Sequence, residues 1–150
     1  MNRAIDLAVA NVRTGKGGPF ASVVVKDGKI VGEGTNLVTS TNDPTAHAEV
    51  VAIRAACAEL ATFQLDGCDL YTTCEPCPMC MGAIYWARPA RVFFGETAED
   101  AAGAGFSDAF IYEQINVPHG RRQIPFVPLM REATLVAFDA WREKTDRVDY

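Results

Sequence analysis

The residues able to do chemistry fall in two short stretches, His47-Ala48-Glu49 and Thr73-Cys74-Glu75-Pro76-Cys77-Pro78-Met79-Cys80. Together they offer one imidazole, two thiolates spaced C-x-x-C, and a carboxylate two residues from the imidazole. Imidazole and thiolate suit zinc, and three protein ligands leave a fourth tetrahedral position open, as a catalytic site requires. Glu49 is surplus to coordination and is the natural proton acceptor for a water at that open position. The first expectation is a zinc-dependent hydrolase.

Positioning such a set needs particular elements. Proline is favoured as the first residue of a helix, because its missing N–H would be unpaired there. Pro78 therefore predicts a helix start with Cys77 at the N-cap and Cys80 within the first turn. His47 and Glu49 are also predicted in a first turn, after the breaker Asp43-Pro44 and with Thr45 as candidate cap. Two helix N-termini facing one metal add partial positive charge, which favours thiolates. Zinc, two thiolates and a neutral imidazole sum to no net charge, so such a metal acidifies water less than a three-histidine site would. A separate base is then needed. Glu49 can take the water proton and deliver it first to a ring nitrogen and then to departing ammonia.

A closed structural site is the competing reading, with Cys74, His119 or Cys68 as fourth ligand. Cys74, three residues before Cys77, is the main contender, although it also reads as a small buried residue ending a strand. A closed site would leave Glu49 without a purpose. Cys57 and Cys68 read as buried, inert thiols.

At 150 residues and 49% hydrophobic, the chain reads as one domain, 1–150, with a substantial core. The net charge of -5 argues against a nucleic-acid-binding face. No apolar run approaches the ~20 residues of a membrane span. The start, Met1-Asn2-Arg3-Ala4-Ile5-Asp6, has an early acid and no apolar h-region, against a signal peptide. Five cysteines, three of them between Cys74 and Cys80, suit metal binding in a reducing, cytoplasmic setting better than a disulfide framework.

Ile5, Val9 and Val12 fall at helical spacing up to the breaker Gly15-Lys16-Gly17-Gly18-Pro19. Phe20 to Val25 and Lys29 to Gly34 flank Asp27-Gly28 as a hairpin. Val50, Ile53, Cys57 and Leu60 mark the core face of a further helix. Leu70 to Thr73 reads as a buried strand. The helix from Pro78 closes before Pro89, and Arg91 to Phe94 is a strand. Glu96 to Ile115 is helical with a break at Gly103-Ala104-Gly105. Pro118 to Arg122 is a looser segment with no assigned role, and Pro125 and Pro128 demote Ile124 to Leu129 to an edge strand at best. Leu135, Phe138 and Trp141 mark a final amphipathic helix before a polar tail. Strands alternating with helices imply a layered α/β sheet, with the last two strands parallel across a helical crossover.

His47, Glu49, Pro76, Cys77 and Cys80 match H-x-E … P-C-x-x-C, and here the chain resembles the zinc-dependent cytidine deaminase superfamily. That resemblance implies a three-layer α/β fold, a five-stranded mixed sheet with helices on both faces. It implies one Zn2+ per subunit on His47, Cys77 and Cys80, water or hydroxide as fourth ligand, and Glu49 as proton shuttle. Asn42 to Val50, Ala83 to Pro89, and Gly105 to Tyr112 are similar to the guanine deaminase family within it. This closer resemblance implies hydrolytic deamination of free guanine to xanthine and ammonia. Asn36 would then hydrogen-bond the base, and Phe20, Ala48 and Trp86 would line the pocket. Asp108 or Glu113 would supply a second acidic group for the purine edge or the proton traffic. A homodimer is implied, with a segment of about 131–150 crossing to the partner and Tyr150 closing the site.

Each residue has a plainer reading. Asn36 suits a loop cap, Phe20 and Trp86 suit core or interface aromatics, Asp108 suits an N-cap, and Glu113 suits a solvated helical acid. Other functions stay open: a tRNA adenosine deaminase, a cytosine deaminase, or a non-enzymatic zinc-stabilised module. The mixed charges from Arg142 to Asp149 count against RNA.

Overall fold

Asp27 and Gly28 both take positive φ, 49° and 74°, and turn strand β1 (Ala21–Lys26) into β2 (Lys29–Thr35). Such turns twist in the same sense as the strands they join, which is why Asp-Gly marks a hairpin. β1 also pairs antiparallel with β3 (Asp69–Cys74), Ser22 opposite Thr72. β4 (Arg91–Glu96) runs parallel to β3, Leu70 opposite Val92. The order is β2-β1-β3-β4, a mixed sheet.

The computed structural model describes residues Met1–Tyr150, which fall into two compact units, Met1–Asp108 and Ala109–Tyr150. In the first, α1 (Asn2–Arg13) lies on one sheet face beside Pro19, Thr73 and Gly95. On the other face lie α3 (Ala48–Glu59) and α4 (Pro78–Ala87), with the short α2 (Val38–Thr41) ahead of them. The core between these helices and the sheet contains Val24, Ala52, Ala56, Leu65, Leu70 and Ile84. Full burial of a leucine such as Leu65 or Leu70 contributes roughly 1.5–3 kcal/mol. α5 (Ala98–Gly103) follows β4 and opens on a capping box between Thr97 and Asp100.

The sheet has four strands, not the five expected. Residues 124–129 form no strand, and Ile124, Val127 and Leu129 are exposed. Pro125 and Pro128 each remove a ladder donor from a very short segment.

Two helices bury small residues in place of larger apolar ones. On α1 the buried stripe is Ala4, Ala8 and Asn11, while Ile5, Val9 and Val12 border an open apolar groove of about 470 Å³. On α3 the fully buried stripe is Ala48, Ala52 and Ala56, with Ile53, Cys57 and Leu60 packed at the core's margin. The reason lies on β2. A Cβ added to Gly34 would stand 2.2 Å from the Ala48 carbonyl oxygen, and one on Gly32 would stand 2.6 Å from that of Ala52. Only glycine facing alanine lets helix and strand approach so closely.

Gly34→Ala should therefore destabilise the protein by about 1–3 kcal/mol in urea unfolding and lower zinc occupancy, since it pushes on the start of α3. Gly82, inside α4 with open space around its Cβ position, provides the contrast. Gly82→Ala should stabilise by about 0.5–1 kcal/mol.

The second unit holds α6 (Ala109–Ile115), a 3-10 turn at His119–Arg121, α7 (Arg131–Thr134) and α8 (Val136–Glu143). The final helix expected from Leu135, Phe138 and Trp141 is α8, preceded by the short α7. Arg122 ties the segment after α6 together. Its guanidinium donates to the Ile115 and Val117 carbonyls at 3.1 and 2.9 Å and lies over the Phe126 ring. No helix in the chain is long and apolar enough to cross a membrane.

Candidate metal centre

Both metal-binding stretches sit at helix starts. Cys77 is the N-cap of α4 in extended conformation, followed by Pro78 at the first helical position. Cys80 is buried one turn in. His47 is itself the N-cap of α3, its backbone extended at φ -69°, ψ 154°. Thr45 is not the cap: its N–H and hydroxyl both donate to Asp43, at 2.8 and 2.7 Å, in a turn before the helix. Neither cap residue bonds its own helix through its side chain, so the imidazole and the thiol both remain available.

The ligand atoms converge. His47 Nδ1 lies 3.5 Å from Cys77 Sγ and 3.5 Å from Cys80 Sγ. All three ligand atoms lie within 4.8 Å of one another. A tetrahedral zinc with ordinary Zn–N and Zn–S bonds has an N···S edge of about 3.5 Å, so these residues fit zinc as they stand. Cys74 is not part of the group; its thiol donates to the Thr97 carbonyl at 3.7 Å, and burial pushes its pKa up to about 11. Cys68 lies in the core cluster.

The electrostatics suit a cation. A hydrogen bond from Cys80, opposed by burial and helped by His47, brings the Cys77 pKa down to about 4. Cys80 is shifted upward by the same hydrogen bond, by burial and by Glu49. The His47 pKa is raised, chiefly by its bond to Cys77. Glu49, 6% exposed, has its Oε2 3.4 Å from Cys80 Sγ, and burial raises its carboxyl above the usual range. A carboxyl so placed holds a proton more readily than one in water, as an acid–base group beside a metal must.

Residues 1–96, more than half of the chain, match the model of the cytidine and deoxycytidylate deaminase zinc-binding region. The chain belongs to that zinc-dependent deaminase family. It is 55% identical to guanine deaminase of Bacillus subtilis (strain 168) over 150 residues, all of this chain and 96% of the relative. The X-ray structure of B. subtilis guanine deaminase superposes with a TM-score of 0.97, covering 99% of this chain and 95% of that one. A tRNA-specific adenosine deaminase of Aquifex aeolicus is 38% identical over 79% of this chain and 78% of its own. Guanine deaminase from Nitrosomonas europaea is 31% identical, covering 91% of this chain and 69% of that one, with a TM-score of 0.68.

The loop carrying Asn36 adjoins the segment that ends in His47. The N–H of Leu37, next to Asn36, donates to Ala46, the neighbour of His47, at 2.9 Å. The Asn36 N–H donates to the Phe20 carbonyl at 3.0 Å, and its Oδ1 accepts from Val38 at 3.3 Å. Asn36 is thus a turn cap, with its amide nitrogen left unengaged by its own loop. Phe20 meets Phe106 edge to face, centroids 4.9 Å apart, a partner the sequence did not single out. Ala48 is fully buried, with its carbonyl packed against Gly34. Trp86 is 63% exposed on α4, and Asp108 directly precedes α6. Glu113 lies exposed on α6 and Tyr150 ends the chain, both in the second unit.

Sequence reasoning also misses Asn11. Its buried Nδ2 donates to Gly18 and Asn36 carbonyls at 2.9 and 2.8 Å. One polar residue in an otherwise alanine stripe was the available signal.

Proposed function

We infer that this deaminase hydrolyses free guanine to xanthine and ammonia. One observation carries the reading: identity to the B. subtilis guanine deaminase runs the full 150 residues, well beyond the zinc-binding region at 1–96. Recognition of tRNA has less support. Arg142, Lys144 and Arg147 pair with Asp139, Asp146 and Asp149, which neutralises the basic residues of the tail. Ammonia release measured across guanine, adenine, cytosine, their nucleosides and structured tRNA tests this. Guanine should dominate; equal or faster release from adenosine in tRNA would reverse the assignment.

Bound zinc supplies Lewis acidity that makes water a nucleophile near neutral pH. Glu49 takes one proton from the attacking water and passes it to a ring nitrogen, then takes the second from the hydroxyl now on the ring carbon and gives it to the departing amine. Asn36 holds the base through its amide, and Phe20, the Ala48 backbone and Trp86 shape the pocket. Asp108 or Glu113 accepts guanine N–H groups or shares the proton traffic.

The chain is proposed to act as one deaminase domain in a homodimer, the segment of about 131–150 crossing to the partner so that Tyr150 closes the site. The open apolar groove beside α1 and the exposed apolar side chains of residues 124–138 support such pairing. Light scattering should give twice the 16.2 kDa chain mass. Removing the last few residues, Tyr150 included, should lower kcat/KM on the order of 10²-fold with unchanged melting; unaltered kinetics would make the tail a frayed end. Five free cysteines support a reducing, cytoplasmic location.

A further inference from the structure

We propose that Asn11 is a positioning residue, whose buried amide locks the Gly18 turn to the Asn36 loop and so aims Asn36 at the base. The inference rests on the reading of Asn36 as base-binding.

Asn11 is 3% exposed, and its Oδ1 is buried without a hydrogen-bond partner. Leaving an acceptor so is unfavourable and offsets part of what the two donated bonds contribute. Both donated bonds reach outside α1, so the amide acts on the two loops rather than on its own helix. Its Nδ2 spends both hydrogens on the Gly18 and Asn36 carbonyls.

These bonds complete a ring of contacts. Asn11 holds Gly18; two residues on, Phe20 accepts from the Asn36 N–H; and the Asn36 carbonyl returns to Asn11. Gly17 seals the ring, since a Cβ there would stand 2.0 Å from the Asn36 oxygen and 3.1 Å from Asn11 Nδ2. The Asn36 backbone is thus held on both its N–H and its carbonyl. Its side-chain oxygen accepts from the Val38 N–H at 3.3 Å, which limits rotation of the amide. Asn11 never touches the base. It acts through the orientation of Asn36.

The test uses zinc-loaded Asn11→Leu, which keeps side-chain volume without a donor, and Asn11→Ala in case the leucine disturbs folding. Each should raise KM for guanine about 3- to 10-fold with kcat little changed, as expected when one uniform binding contact is weakened. A purely structural role would reduce the folded fraction, and with it kcat, without moving KM. Asn36→Ala should also raise KM, and adding Asn11→Leu to it should raise KM no further. If Asn36→Ala raises KM and neither Asn11 variant does, the inference about Asn11 alone fails. Independent, multiplicative effects in the double variant would overturn it as well. An unchanged KM in Asn36→Ala would remove the role of Asn36 and the inference together.

Discussion

Glu49→Gln should keep one zinc per chain, lower kcat on guanine by roughly 10²–10⁴-fold, and leave the metal-free protein more resistant to heat. The three outcomes share one cause. Glu49 is nearly buried and is not one of the three ligand atoms, so metal should stay on His47, Cys77 and Cys80. The substitution preserves shape and removes only the ability to carry a proton. In the metal-free protein it also removes a carboxyl whose ionised form burial disfavours, which is why stability should rise there while function falls. Metal content by atomic absorption, ammonia release and thermal melting read the three separately. Turnover within tenfold of the parent would take Glu49 out of the mechanism. Lost zinc would make it a supporter of the ligands instead.

Chelation should abolish activity while leaving the secondary structure in place, and added zinc should restore turnover. Val24, Ala52, Leu65, Leu70 and Ile84 pack without help from the metal. The melting temperature should still fall, because zinc at 1,000 times its dissociation constant stabilises the folded state by about 4 kcal/mol. Circular dichroism with and without chelator distinguishes a catalytic ion from a structural one. Collapse of the helical signal on zinc removal would revive the structural reading.

How much of the fold and the site is legible in the sequence depends on how local each cause is. Pro78 places Cys77 and Cys80 through a property of proline alone, and the structure keeps that placement. Asp27-Gly28 fixes the hairpin for the same reason. The buried stripe of α3 escapes such reading because its cause is remote. Valine, isoleucine and leucine on the helix suggest the core face, but Gly32 and Gly34 on β2 select the alanines instead. Thr45 resembles a cap, yet Asp43 claims its hydrogen bonds and leaves His47 to begin the helix. Pro125 and Pro128 argue against a fifth strand more strongly than family likeness argues for it. Asn11 stays invisible because its partners are backbone carbonyls seven and 25 residues away.

The glycines under α3 act as one of two matched rulers. Along a strand, alternate residues are about 6.8 Å apart; along a helix, residues four apart are separated by about 6.0 Å. The spacings are close enough for Gly34 to meet Ala48 and Ala52 while Gly32 meets Ala52 and Ala56. A helix engaged at two successive marks cannot slide part of a step, because any intermediate position drives one helical turn into the strand. The axial position of His47 and Glu49 is therefore set as a discrete notch by backbone against backbone. Side-chain changes elsewhere in the core can alter how tightly the notch is held without altering where it lies.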